Sequence, residues 1–385
     1  MDVPKVPPRS AVSELRTLLD SPEIQALVDE LEATRWTGRP GYPIRAMVGV
    51  ALVKSMYAIP TWTRTVALVR EHAALRDALG AVPSQWACYR FAAKLREHSG
   101  ALAACLDRVT AGLHKLMPEM GESVAIDGSD LPAYANGQRY VSKGGRERAP
   151  EEYSDPDASW GHRSSVSTRK GGGYYGYKIH AVVCAKTDLP LAWRVETARD
   201  HEASFALDLL DATRARGFDV KAAIMDKGYD NGPIHDGCES RDVRPIIPLR
   251  QTPAVARGDA EPPCCEHGAW RFAGADYGRK ATKWRCPTGA CKPASRWVKA
   301  DRLHPLVPRE SLRWRKLYRS RASVERGFGR LKHDWALLPL RVRGIERVRL
   351  HADLTVLAQL ARTLGRARAV VAVRAERRAA LLAAA

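Results

Sequence analysis

Over residues 1–117 apolar positions recur at helical spacing, and prolines stand where helices would begin. Pro22, Pro43, Pro60 and Pro83 each lie at or just before the start of such a segment, where a missing backbone N–H costs little. Thr61 and Ser84 suit the N-caps of TWTRTVALVREHAALRDAL and SQWACYRFAAKLREH. The second segment is expected to expose Arg90, Lys94 and Arg96. A DNA-reading helix would do so, and so would an ordinary amphipathic bundle.

From Glu122 onward the period changes. SVAID is a short apolar run ending in an acid, as in a buried strand. Residues 131–173 are rich in Gly, Ser, Asp and Arg and read as a long loop. GYYGYKIHAVVC and LAWRVET form a hairpin about TDLP, and HEASFALDLLDATRARG is a helix that stops at Gly217. VKAAIMD is a second buried strand ending in an acid, followed by a short helix over 232–241 and the strand VRPIIPL. Residues 250–310 are Pro-rich and carry cysteines; SLRWRKLYRSRASVERGFGRLKHDW reads as one helix, and two more helical stretches close the chain.

This succession divides the chain into a helical region (1–117), the first part of an α/β core (118–249), a Cys-rich β insertion (250–310) and the rest of the core with basic helices (311–385). The order of strands and helices matches an RNase H-like α/β (α+β) fold. In that fold the first and fourth core strands are neighbours, so Asp127 and Asp226 at their ends are expected side by side.

The net charge of +19 exceeds what solubility needs and points to a polyanion. From Arg296 onward there are 22 Lys/Arg against 7 Asp/Glu, interleaved with Trp297, Trp314, Tyr318, Phe328 and Trp335. Cations mixed with aromatics suit nucleic acid. The longest apolar stretch, residues 47–59, is short of a membrane span and is interrupted by Lys54. The opening residues lack the apolar core of a signal peptide. A cytoplasmic protein is expected, and the Ala/Arg-heavy composition suggests a bacterial source with a GC-rich genome.

Cutting and rejoining a phosphodiester requires activation of the attacking oxygen and neutralisation of the leaving one. Two divalent cations roughly 4 Å apart do both, held by hard oxygen ligands. Asp127, Asp226 and Glu325 are the candidates. Each alone could be a turn residue or an exposed helix acid. Two of them, however, end apolar strands, and the third lies in the most basic helix. On a continuous helix Tyr318, Arg321, Glu325 and Lys332, at offsets 0, +3, +7 and +14, would fall within an arc of roughly 60°. Asp130 and Asp230 are neighbouring acids expected past the strand ends.

The spacing Tyr318-x2-Arg321-x3-Glu325-x6-Lys332 resembles the Y-R-E-K signature of a large branch of bacterial insertion-sequence DDE transposases. MDKGYD and AIDGSDLPA are similar to that family's boxes around its two aspartates. The resemblance implies that Asp127, Asp226 and Glu325 bind two Mg2+ or Mn2+ ions, and that Tyr318, Arg321 and Lys332 bind DNA. It implies cleavage at transposon ends, in-line attack of the freed 3′-hydroxyl on target double-stranded DNA, and a homodimer on DNA in the nucleoid. The loop over 131–173 departs from the minimal fold, with Arg163, Arg169, Lys170 and glycines 171–173 as its candidate DNA contacts.

Three rival readings share part of this pattern. One is a catalytically silent, transposase-derived DNA-binding protein; another is a hydrolytic nuclease of the same fold. The third, a recombinase using Tyr318 covalently, lacks the Arg and His-x-x-Arg cluster that its chemistry needs. Cys88, Cys105, Cys184 and Cys238 are scattered and read as small core residues. Cys264, Cys265, Cys286 and Cys291 are clustered. Cys265, His267, Cys286 and Cys291 form a candidate structural zinc set, against the alternative of unligated thiols.

Overall fold

The computed structural model describes residues 10–34, 41–137, 150–163 and 171–383. The N-terminal region folds into α1 (Ala11–Leu19), α2 (Pro22–Ala33), α3 (Ile44–Met56), α4 (Trp62–Glu71), α5 (Ala73–Leu79), α6 (Gln85–Glu97) and α7 (Ser99–Leu116). Thr61 and Ser84 cap α4 and α6 by accepting from the backbone N–H of Arg64 and Ala87. The segment expected as one helix from Trp62 is two, because His72 adopts an extended backbone between α4 and α5. Helix α3 is apolar around its whole circumference and nearly all buried, so it forms the centre of the bundle.

The next part is a mixed α/β unit. Strands β1 (Ser123–Pro132), β2 (Ser159–Arg163), β3 (Gly172–Cys184), β4 (Pro190–Thr197), β5 (Ala222–Ile224) and β6 (Arg244–Ile246) form one sheet in the order β2-β3-β1-β5-β6, with β4 also paired to β3. β1, β5 and β6 run parallel, whereas β3 is antiparallel to β1, β2 and β4. β2 pairs with residues 172–176 of β3 and β4 with residues 177–183, so the two share its outer edge.

The expected loop over 131–173 is therefore partly strand. Its first residues extend β1, Ser159–Arg163 form β2, and Gly172–Gly173 begin β3. The glycine content concealed this pairing, yet at Gly176 the sheet requires it: a Cβ there would sit 2.3 Å from the Leu131 carbonyl oxygen. Arg169 and Lys170 lie outside the described residues.

Helices α8 (Ala206–Ala215) and α9 (Gly232–Glu239) come after β4 and β5, and Gly217 takes a left-handed backbone after α8. The insertion holds a short helix α10 (Pro253–Ala256), a pair β7 (Cys264–Cys265) and β8 (Gly268–Ala269), and a three-stranded sheet of β9 (Arg271–Asp276), β10 (Ala281–Arg285) and β11 (Ser295–Lys299). Trp270, Trp284 and Cys286 give it a small core of its own. Two expectations for the C-terminal region change. The helix expected over 311–335 is α11 (Leu312–Arg319) and then α12 (Ala322–His333), and the two closing helices are one, α13 (Ile345–Ala383). The break comes where Arg321, Ser323 and Val324 each donate to a carbonyl three residues back, which tightens the turn and rotates α12 relative to α11.

Helix α13 packs on α1, α3 and α7 and also on β4, and one apolar core runs from the bundle through the sheet. Glu14 accepts from Arg362 and Arg366, and Glu23 from Arg368 through both oxygens. No helix among the described residues is long and apolar enough to cross a membrane.

Asp155, fully buried, fastens the entry to α13 onto the sheet. One carboxylate oxygen accepts from the Tyr177 hydroxyl at 2.7 Å and from the Gly344 N–H at 3.0 Å. Asp155→Ala leaves the buried Tyr177 hydroxyl and the half-buried Gly344 N–H without that acceptor, at a cost of about 1–3 kcal/mol. Thermal unfolding monitored by circular dichroism should show a Tm lower by several degrees. A melting curve superimposable on wild type would remove Asp155 from this role.

Candidate active site

The register of two parallel strands determines where the first two carboxylates lie. Ala125 of β1 pairs with Ile224 of β5, so Asp127 and Asp226 each stand two residues beyond that pair, at the same end of the sheet. β1 does not stop at Asp127; it continues to Pro132 along β3. The acid is thus past its pairing with β5 but still within a strand. Asp127 accepts from the Gly128 N–H at 2.9 Å, and Asp226 caps a short 3-10 turn by accepting from the Gly228 N–H at 2.6 Å.

Helix α12 lies against β1 and β3 with Val324, Phe328 and Leu331 buried beneath it. Asp188 binds Arg326 bidentately, at 2.7 and 2.9 Å, and Arg330 at 3.1 Å, which fixes the helix from its outer side. Glu325 is thereby held at the flank of the sheet, with its side chain 60 % exposed. Arg321 donates to Asp127 at 2.9 Å and to Glu325. Lys332 donates to Ser129 at 2.8 Å and lies 3.7 Å from Asp130. Tyr318 stacks on Trp314 with centroids 4.8 Å apart. Although the helix is broken, Arg321, Glu325 and Lys332 still border the end of β1.

A fourth acid, which no sequence pattern marked, joins them. Glu202 lies in the 3-10 turn before α8, which packs on the turn that Asp226 caps. It pairs with Lys178 at 3.2 Å and crowds Gly128, where a Cβ would meet its carboxyl carbon at 2.9 Å. An acid at a helix start is explained by the helix dipole, so nothing in the sequence distinguished it. Burial, then the nearby charge of Glu202, pushes the Asp127 carboxyl up to about 7, against the opposing pull of Arg321 and the Gly128 N–H. Tyr229, fully buried beside Asp127, Glu202 and Asp226, has its hydroxyl raised well above the ordinary range by the same burial and charges.

The neighbouring acids are engaged elsewhere. Asp130 lies inside β1, not past its end, and pairs with Arg163 at 3.1 Å. Arg163 also lies over the Tyr174 ring, so it is tied to the sheet and not to a free loop. Asp230 is buried. Burial alone would raise its carboxyl, but hydrogen bonds from His235, Arg302 and the Arg250 N–H hold it far below the usual range. It clamps the insertion to the core.

Among the described residues the three carboxylates do not close to within 4.8 Å of one another. The Arg321 guanidinium lies between Asp127 and Glu325. The donors are hard oxygens, which suit a divalent cation of the Mg2+ or Mn2+ type, and Arg321 already carries positive charge into that space.

In the insertion the sulfur atoms of Cys265, Cys286 and Cys291 lie within 4.8 Å of one another. His267 is not with them; its ring is 3.4 Å from Glu266, because the turn between β7 and β8 directs it outward. Cys264 is exposed, whereas Cys88, Cys105, Cys184 and Cys238 are buried. Of the three α6 cations expected at the surface only Arg90 is exposed, and the other two are half-buried. Lys94 donates to the Leu31 carbonyl and Arg96 to that of Ala92.

A family model described as a transposase DDE domain matches residues 120–360, and a second, described as a transposase domain, matches residues 3–93. No curated protein gives a significant match. Among solved structures, the chain is similar to a piggyBac transposase synaptic complex with hairpin DNA determined by cryo-EM. The identity is 12 % and the TM-score 0.40, over 94 % of this chain and 76 % of that one.

The raised Asp127 carboxyl has a consequence for metal-free protein. A folded-state value near 7, against about 4 when unfolded, means that the native state holds an extra proton between those limits. Its contribution to stability is fully present below about pH 4 and is lost as pH rises through 7. Melting in EDTA from pH 5 to 8 should show wild type losing stability relative to Asp127→Asn. Parallel pH profiles would contradict the assignment.

Proposed function

The chain belongs to the transposase DDE-domain family, and from that premise we propose that Asp127, Asp226 and Glu325 are the carboxylates that hold its catalytic metal ions. As a transposase the protein cleaves DNA and joins the cut strand to new DNA. The observation that carries the assignment is the shared register of Asp127 and Asp226 on parallel strands, with Arg321 linking the first to Glu325. The sheet order, with β1, β5 and β6 parallel and β3 antiparallel, supports an RNase H-like core.

When bound, a pair of divalent ions, Mg2+ or Mn2+, would supply activation of the attacking oxygen and charge neutralisation on the leaving one. The chain's own residues prepare for this. Asp127 and Asp226 are oriented by the N–H groups of Gly128 and Gly228. Arg321 offsets the carboxylates before loading, and its planar fork suits a DNA phosphate once they are otherwise engaged. Lys332, held by Ser129, gives a second cation along the same edge, and Tyr318 borders it with its ring half-buried. Glu202 stands close enough to Asp127 and Asp226 to serve as an additional acid of the centre. Handling both ends of an element together calls for two copies on DNA, most simply a homodimer. Cys265, Cys286 and Cys291 supply three soft ligands suited to a structural zinc.

Glu325→Gln tests the metal assignment, because an exposed amide leaves folding intact while holding a cation weakly. Mg2+-dependent nicking of a duplex carrying the element's inverted repeat should fall at least a hundredfold, with the duplex still bound. Wild-type cleavage by this variant would sink the role of Glu325. Hydrolysis without joined products in the parent protein would favour a nuclease, and binding without cleavage a silent DNA-binding protein.

For the insertion, elemental analysis of protein purified without chelator should return about one zinc per chain, lost in Cys286→Ser with a drop in Tm. Metal-free protein whose stability is unaffected by that change would leave three plain thiols.

A further inference from the structure

A cavity of about 600 Å3 opens between α3, α6 and the segment that leads into α13. Its rim carries aromatic rings that the fold does not bury. Trp86 is 71 % exposed, with Tyr89 beside it on α6, and Tyr134 stands across from them with the guanidinium groups of Arg341 and Arg343 about 5 Å from its ring. Arg90 and Arg347 also line the cavity and are exposed. Among the described residues neither guanidinium makes an ion pair or a side-chain hydrogen bond. At the floor Lys54 meets His351 at 3.2 Å, and the other ring nitrogen of His351, a buried residue, has no partner among the described residues. Among the described residues no carboxylate lines the cavity.

An exposed tryptophan with neighbouring tyrosines marks a contact surface, and cations gathered there without acids repel one another until an anion neutralises them. Together they complement a polyanion that also offers apolar sugar surface. Position adds a second argument. Tyr134 comes seven residues after Asp127 along β1 and its exit, so it lies no more than about 23 Å away. That is at most the length of roughly seven base pairs of duplex. A single DNA segment can therefore reach from the carboxylates to the cavity.

We propose that this groove holds the duplex backbone of the DNA being cut, within about seven base pairs of the scissile bond, with phosphates on Arg90 and Arg347 and sugar faces against Trp86 and Tyr134. The inference rests on the transposase reading and adds the place of contact. The occupied surface is composite: α6 supplies one wall and the residues before and within the first turn of α13 supply the other.

The test uses full-length protein and a fluorescein-labelled 40-bp duplex spanning the flanking inverted repeat, with anisotropy read in EDTA across a NaCl series. Arg90→Ala/Arg347→Ala should bind about tenfold or more weakly at 100 mM NaCl, and the slope of log K against log salt should fall by about two. Trp86→Ala should weaken binding several-fold with little change in slope, as lost apolar contact with the sugars without lost charge requires. Arg374→Ala/Arg377→Ala, which removes the same charge from the far end of α13, should change the slope far less. All three substituted positions in the groove are exposed, and unchanged melting temperatures are expected. Equal losses in the two double variants would overturn the proposal, as would an unchanged slope in the first. Co-sedimentation of wild type, but not the groove variant, with phosphatidylglycerol vesicles while duplex binding is unaffected would also overturn it. Failure of the catalytic reading is distinguishable: wild type would bind the duplex through the groove yet leave it uncut in Mg2+.

Discussion

A single guanidinium holds together segments that lie 194 residues apart in the chain. Arg321 binds Asp127 on β1 and Glu325 on α12, at a sheet end where Asp127, Asp226 and Glu202 also converge. Such a group of carboxylates repels itself, and low-dielectric surroundings strengthen the repulsion. Without a cation among them the acids must either protonate or move apart. Asp127 shows the first response, its carboxyl raised by burial first and by the charge of Glu202 second, and Arg321 supplies part of the missing positive charge. The site is thus arranged for more positive charge than the polypeptide provides, which is the electrostatic condition for holding divalent ions.

That arrangement demands a rigid α12, because Glu325 is exposed and only the helix and Arg321 position it. The rigidity comes from two sides. Val324, Phe328 and Leu331 are packed beneath it, and Asp188 grips Arg326 and Arg330 from outside. Gly327 sits 3.1 Å, measured from where a Cβ would be, from the Asp188 carbonyl oxygen. The helix consequently approaches the β3–β4 turn closely enough for the ion pairs to form. Lys332 at the next turns is drawn to Ser129 and Asp130, so the helix aligns along β1 and not across it.

The parts of this site that are legible in the sequence are those with local signals. Apolar runs ending in Asp127 and Asp226 describe buried strands, and the spacing around Glu325 describes a basic helix. Caps at Thr61 and Ser84 come from side-chain chemistry alone. The remainder is decided by tertiary structure. Ser320 and Arg321 are both acceptable within a helix, and the tightening there accompanies burial of Ser323 and Val324 against the sheet. β2 is a Gly- and His-bearing edge strand whose pairing with β3 leaves no periodic trace. Glu202 differs from any other helix-start acid only because Gly128 admits it. His267 has ligand chemistry at a plausible spacing, but the hairpin turn faces it toward Glu266 while the three sulfur atoms converge elsewhere.

Helix α13 connects the two halves of the molecule, and this role explains why its sequence is so basic. Its first half is buried in both the bundle and the sheet, and three of its arginines are committed to Glu14 and Glu23. Those cations stabilise the join between regions and are not available to DNA, even though composition alone counts them as nucleic-acid contacts. The charges near the start of the helix that have no acidic partner among the described residues, Arg347 with Arg341 and Arg343 just before it, are gathered beside Tyr134, whose carbonyl accepts from Arg343, and across from Arg90. Total charge therefore overstates the number of arginines without an acidic partner, whereas the pairing of each arginine identifies them. Because the same helix seats on β4 and on α3, any movement of the bundle relative to the sheet would have to disrupt a shared apolar core. The carboxylates and the arginine-lined groove are in this way held at one fixed separation.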